Sequence, residues 1–101
     1  MTLGRVIGTV VATRKEDRLH GFKLQIVEAI GLDLAPTGSF VVAVDAVGAG
    51  PGEIVLTSAG SSARLTAVTT DKPVDAVIVG IVDAVETEGE IRYAKSAPAR
   101  G

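Results

Sequence analysis

Apolar and β-branched residues in this chain gather in short runs separated by glycine, proline and charged turns, the pattern of an all-β domain. The first run covers Leu3 to Thr13, where Val6, Ile7, Thr9, Val10 and Val11 predict a long strand. Gly4 and Gly8 interrupt it, as the coiling or bulging of a closed sheet requires. Phe22 to Ile30 alternates at first, with Phe22, Leu24 and Ile26 on one face and Lys23 and Gln25 on the other, predicting a half-buried strand. Gly31 to Gly38 is a loop, bounded by glycines and broken by Pro36. Phe40 to Val47 predicts a strand that is apolar on both faces, broken only by Asp45. Ile54 to Ala59 is expected to follow as its antiparallel partner. Val74 to Val85 predicts another long two-faced strand, with Asp75 and Asp83 near its ends and Gly80 inside. A turn at 86–89 leads into a short last strand, Glu90 to Ala94.

The chain is organised around Asp45 to Arg64, DAVGAGPGEIVLTSAGSSAR. Gly48, Gly50 and Gly52 alternate with Ala49 and Pro51, so this turn can take positive φ at several positions where a Cβ would resist it. Gly50→Val is therefore expected to disrupt the turn if Gly50 sits at positive φ. Glu53 opens the next apolar run, and after Gly60 either Ser61 or Ser62 can cap a short helix over about 61–68, through Ala63 and Arg64. The fold class expected is all-β: a small β-barrel with one short α-helix and a short C-terminal hairpin strand. Residues 1–94 form one domain, and 95–101, polar and proline-containing, a flexible tail.

Strands 40–47 and 74–85 set a further condition. A small barrel with one helix cannot cover both faces of two such strands, and an uncovered apolar face is a liability. The natural second layer is another copy of the chain, so the sequence predicts a homo-oligomer.

With 101 residues the chain is one domain, and 47% hydrophobic against 22% charged residues excludes disorder. A net charge of −2 argues against a general nucleic-acid binder. An oligonucleotide-binding role would also need exposed aromatics on a basic groove, and Phe22 and Phe40 are expected in the core, leaving Tyr93. The absence of cysteine removes disulfides, thiolate zinc sites and cysteine nucleophiles. No apolar run is long enough to span a membrane and MTLGRVIG does not resemble a signal peptide, so a cytoplasmic protein is expected.

Candidate chemistry is thin. The glycine turn leads into a strand rather than a helix, with Glu53 where a dinucleotide fingerprint needs its third glycine, and no Gly-Lys-Ser/Thr follows. A small-molecule or nucleotide site built on the Gly-rich loop 48–52 is the alternative reading. Residues 14–18 alternate in charge sign and are expected to be a solvated turn. His20 has neither a nucleophile nor a metal-ligand cluster beside it in sequence, so no catalytic residue, cofactor or metal is expected. Asp45, Asp75 and Asp83 fit turn capping better than a carboxylate site. Arg64 could fork onto a carboxylate, with Asp45 or Glu53 as first candidate, or could lie exposed on the surface.

GAGPGE followed by GSSAR resembles the signature of the EutN/CcmL family, the pentameric vertex proteins of bacterial microcompartment shells. GRVIGTVVATRK, LHGFKLQIVE, VAVDAVGAG and PVDAVIVGIVD fit the same pattern in the same order, over roughly residues 3 to 85. The resemblance implies an OB-like barrel, a homopentamer at the fivefold vertices of a polyhedral shell, and hexameric and pseudohexameric shell proteins as partners. It implies no catalysis, and the composition gives no nucleic acid and no membrane as partners. The resemblance also makes Asp45, Gly48, Gly50, Gly52, Glu53, Gly60, Ser61, Ser62, Ala63 and Arg64 an assembly motif, serving subunit packing or the surface around the fivefold axis, and favours a structural ion pair for Arg64.

Overall fold

The computed structural model describes residues 1–12, 22–59 and 76–95. The expected helix at 61–68, the charge cluster at 14–18, His20, Asp75, the segment Gly60 to Arg64 and the tail beyond Lys95 lie outside the described residues. Seven strands are described: β1 (Thr2–Val10), β2 (Leu24–Ile30), β3 (Pro36–Asp45), β4 (Ile54–Ala59), β5 (Ala76–Ile81), β6 (Ala84–Thr87) and β7 (Glu90–Ala94). The first five close into a barrel in the order β1-β2-β3-β5-β4, and β6 and β7 form a separate two-stranded sheet. The expected all-β barrel with a C-terminal hairpin strand is what the chain forms.

β1 bulges where its glycines fall. Val6 pairs with Val27 and Gly8 with Ile26, so Ile7 is the extra residue. Gly4 is required by space: a Cβ there would overlap Cγ1 of Val27 and sit 3.1 Å from the carbonyl oxygen of Glu28.

Three expectations are corrected. β4 does not pair with β3; it lies between β1 and β5, while β3 meets β5 in a short parallel contact, Val44 opposite Val77 and Asp45 opposite Ile78. The glycine turn is thus a crossover, because Gly52 donates its amide to the carbonyl of Val6 and Val6 donates back to that of Glu53, handing the chain onto β1. The long strand 74–85 is broken, with β5 ending at Ile81. The amide of Val82 makes a last barrel bond to the carbonyl of Ile54 (2.8 Å), after which the chain turns out into the hairpin. That hairpin closes through Glu88 (φ 53°) and Gly89 (φ 77°), the successive positive angles of a type I′ turn. Finally, β3 begins at Pro36 rather than Phe40.

Burial inverts the expected faces of β2. Gln25 and Val27 point inward and are fully buried, whereas Leu24 and Ile26 are half-buried on the outside. The barrel interior is Val6, Val27, Ala43, Val55, Ala76 and Ile78, joined by Ala49 from the glycine turn. Neighbouring residues on a strand face opposite ways. Val44 and Val77 therefore build a second cluster outside the barrel wall, with Phe22, Leu24, Ala46 and Val79 against it. Phe22 takes its expected packing role; Phe40, 60% exposed, does not.

Gly4→Ala is expected to lower stability by about 1–3 kcal/mol in chemical denaturation, as overpacking against a backbone carbonyl does. Gly8→Ala is the control: its Cβ would meet Cδ1 of Ile26 at an ordinary 3.6 Å, and its midpoint should stay near that of the parent chain.

Candidate assembly site: the glycine turn and its anchors

The turn from Asp45 to Glu53 crosses from β3 to β4, and its own carboxylates shape both ends. Oδ1 of Asp45 accepts the amides of Val47 (3.0 Å) and Gly48 (2.8 Å), curling the chain as it leaves β3. Oε1 of Glu53 accepts the amide of Gly50 at 2.6 Å and closes the far end. Gly48 (φ 75°) and Gly52 (φ 83°) occupy the left-handed region, where a side chain would be strained. Gly50 does not, so the expected positive φ falls on its two neighbours instead. The reason is local. Gly50 is the first residue of the β-turn closed by the Glu53 amide on its carbonyl, a position that needs no left-handed φ, whereas Gly52 is the third, which does.

Three side chains from elsewhere in the fold hold this turn. Nε2 of Gln25, on β2, donates to the carbonyl of Ala49 (2.9 Å) and to Oδ2 of Asp45 (3.3 Å). Its Oε1 accepts the hydroxyl of Thr9 on β1 at 2.9 Å, so the fully buried amide is satisfied. Nη1 of Arg5 donates to the carbonyl of Gly52 at 3.0 Å. Nζ of Lys95, just past β7, forms an ion pair with Oε2 of Glu53. The Lys95 hydrogen bond, followed by the Gly50 amide, holds the Glu53 carboxyl below the usual carboxylate range, and the same hydrogen bond raises Lys95 above the usual lysine value.

Of the residues singled out in the sequence, the structure gathers Asp45, Gly48, Gly50, Gly52 and Glu53 into this one turn. Both candidate carboxylate partners of Arg64 already carry bonds, and Arg64 itself lies outside the described residues. Asp83 stands apart at the neck of the hairpin, where its carbonyl accepts the amide of Lys95 (2.7 Å). Gln25, Arg5 and Lys95 were missed. Gln25 carried a usable signal, a lone amide inside an apolar run, but alternation placed it on the solvent side.

This arrangement bears on anion binding. The amides of Val47, Gly48, Gly50 and Gly52 are spent on Asp45, Glu53 and the Val6 carbonyl. A phosphate would meet two carboxylates where it needs free N–H groups.

Gln25→Leu is expected to cost about 1–3 kcal/mol, since it strands the buried Ala49 carbonyl and takes a bond from half-buried Asp45, and denaturation curves would show it. The Glu53–Lys95 pair has a defined pH window. Glu53, lowered when folded, stabilises above the ordinary carboxylate pKa and loses this as pH falls through its lowered value. Lys95, raised when folded, stabilises below the ordinary lysine pKa and loses this as pH rises through its raised value. Glu53→Gln should therefore give a shallower acid limb in a plot of stability against pH, and leave less to lose in alkali.

The sequence profile of the family described as "Ethanolamine utilisation protein EutN/carboxysome" matches residues 1–83. The chain is 54% identical over 87 residues to the bacterial microcompartment shell vertex protein GrpN of Rhodospirillum rubrum, covering 86% of this chain and 98% of that protein. It is 44% identical over 95 residues to the carboxysome shell vertex protein CcmL of Thermosynechococcus vestitus, covering 94% and 96%. Among solved structures, Gloeobacter violaceus CcmL superposes with a TM-score of 0.91 at 42% identity, over 96% of this chain and all of that one (100%). The GrpN pentameric microcompartment shell protein from Rhodospirillum rubrum gives 0.79 at 54% identity, over 86% and 99%. A profile match across most of the chain, with relatives this similar over nearly their whole length, leads to one conclusion: the chain belongs to the EutN/CcmL family.

Proposed function

We propose that this chain is a structural shell protein that closes into a homopentamer and caps the fivefold vertices of a polyhedral bacterial microcompartment. The observation that carries the reading is the apolar surface left on the barrel. Phe40 and Val42, on the outer face of β3, are 60% and 51% exposed, and Ile26 lies opposite Val42 on the neighbouring strand. A face of this kind on a soluble subunit is an interface waiting for its partner. The pentameric shell proteins among the relatives, GrpN and MSM0273 from the RMM microcompartment, support five as the number of copies.

A ring of this sort is built from heterologous contacts, one patch of each copy meeting a different patch of the next, and closure leaves no open end. Fivefold closure introduces curvature into an otherwise flat sheet of hexameric and pseudohexameric shell proteins, which are the partners this role requires. The role is structural rather than catalytic and needs no cofactor. Its place is in the shell, within the cytoplasm. Asp45, Gly48, Gly50, Gly52 and Glu53, with Gly60, Ser61, Ser62, Ala63 and Arg64, serve subunit packing in this reading. The alternative, a nucleotide-binding barrel using loop 48–52, loses its physical basis because the loop's amides are occupied by its own carboxylates.

Native mass spectrometry of the purified protein is expected to give a five-chain species, and a monomer would overturn the reading. Val42→Lys places a charge in the exposed apolar face and withdraws a side chain worth about 1.5–3 kcal/mol on burial. It should shift the mass toward monomer while far-UV circular dichroism keeps its β signature.

A further inference from the structure

The base of the C-terminal hairpin and the glycine turn share one carboxylate. We infer that Glu53 and Lys95 form a latch that sets the direction in which hairpin β6–β7 leaves the barrel. Through it, the shape of the glycine turn and the aim of the hairpin become one mechanical unit. The inference concerns a single subunit and stands whether or not the subunits close into a ring.

The hairpin needs such a latch because it shares no strand pairing with the barrel. A two-stranded hairpin on its own is marginal and has no fixed orientation to its neighbour. Its neck is narrow. The chain leaves the barrel after the Val82 amide bonds the Ile54 carbonyl, and it returns at Lys95, whose amide bonds the Asp83 carbonyl. A neck of that kind fixes one point and leaves the hairpin free to swing. The ion pair of Lys95 with Glu53 fixes a second point, and two points define a direction.

The two partners differ in mobility, as a latch requires. Glu53 is held by the barrel: its Oε1 accepts the Gly50 amide, its own amide bonds the Gly50 carbonyl (3.2 Å), and its carbonyl accepts the Val6 amide (3.0 Å). Its side chain is 21% exposed, against 43% for Lys95. The fixed half thus belongs to the turn, and the releasable half to the hairpin. At the other end, among the described residues, the hairpin tip faces the barrel across open space. Thr87, Glu88 and Arg92 face Leu32 and Asp33, which follow β2, across an open cleft of about 480 Å³. Arg92 is occupied within the hairpin, donating to Thr87 (2.7 Å) and pairing with Glu90 (3.2 Å).

What the latch aims is a hairpin with an apolar residue on each side. Val85 and Tyr93 pair on one face, and past a bulge at Arg92 the chain places Ile91 opposite Glu86, on the other face, where it is 67% exposed. A fixed direction presents that exposed side chain at one angle only.

The absence of cysteine makes the test direct. Leu32→Cys and Glu88→Cys place spin labels on the two sides of the cleft, and dilution with unlabelled chain leaves at most one labelled copy per assembly. Pulsed electron–electron resonance should give a single narrow distance peak. In Glu53→Gln and in Lys95→Met the narrow peak should be lost to a broad distribution, while Lys95→Arg, which keeps the charge, should retain it. About 1 M salt, where the screening length falls to about 3 Å, should broaden the peak of the parent chain. Should Glu53→Gln perturb the barrel, Lys95→Met decides, because Lys95 lies outside every strand. A peak that stays narrow in Lys95→Met, or that is lost equally in Lys95→Arg, overturns the latch.

Discussion

A fully buried amide governs how this chain crosses its own barrel. Gln25 sits in the interior with no water to turn to, so each of its polar atoms must find a protein partner. Those partners are Thr9 on the first strand and Asp45 and Ala49 at the two sides of the glycine turn. The crossover from the third to the fourth strand is thereby pulled against the barrel wall, and Ala49 enters the core beside Val6 and Val27. Arg5 and Glu53 finish what Gln25 begins, holding the end of the turn on the first strand.

Because an inward Gln25 sets the phase of its strand, it also sets what faces outward. Ile26 and Val42, paired across two strands, are left on the outside, as is Phe40. A polar residue in the core and apolar residues on the surface are two sides of one register choice, since a shift of one residue would exchange them. The subunit thus leaves an apolar face outward and fixes its turn with an amide, as suits a building block whose proposed second layer is another copy of itself.

The same turn shows why glycine spacing alone is a poor guide to ligand chemistry. Alternating glycines suggest a phosphate cradle, but Asp45 and Glu53 bracket them closely enough to take the amides a phosphate would need. A loop whose donors are internally satisfied has none left to offer an anion, whatever its glycine spacing.

The sequence by itself determined the all-β class, the positions of β1, β2, β4 and β7 to within a few residues, the bulge near Gly8, and the excess of apolar surface. β-branched runs and glycine punctuation are local signals and survive into any fold. Asp45 as a turn cap was legible for the same reason, its bonds reaching only to Val47 and Gly48. Only the tertiary structure decided that Gln25 points inward, that β4 pairs with β1 and β5, that the run from Val74 breaks after Ile81, and that Lys95 reaches Glu53. Each of these depends on partners far along the chain. Alternation gives the two faces of a strand but not which is inside, and that choice belongs to closure of the barrel around residues no local window contains.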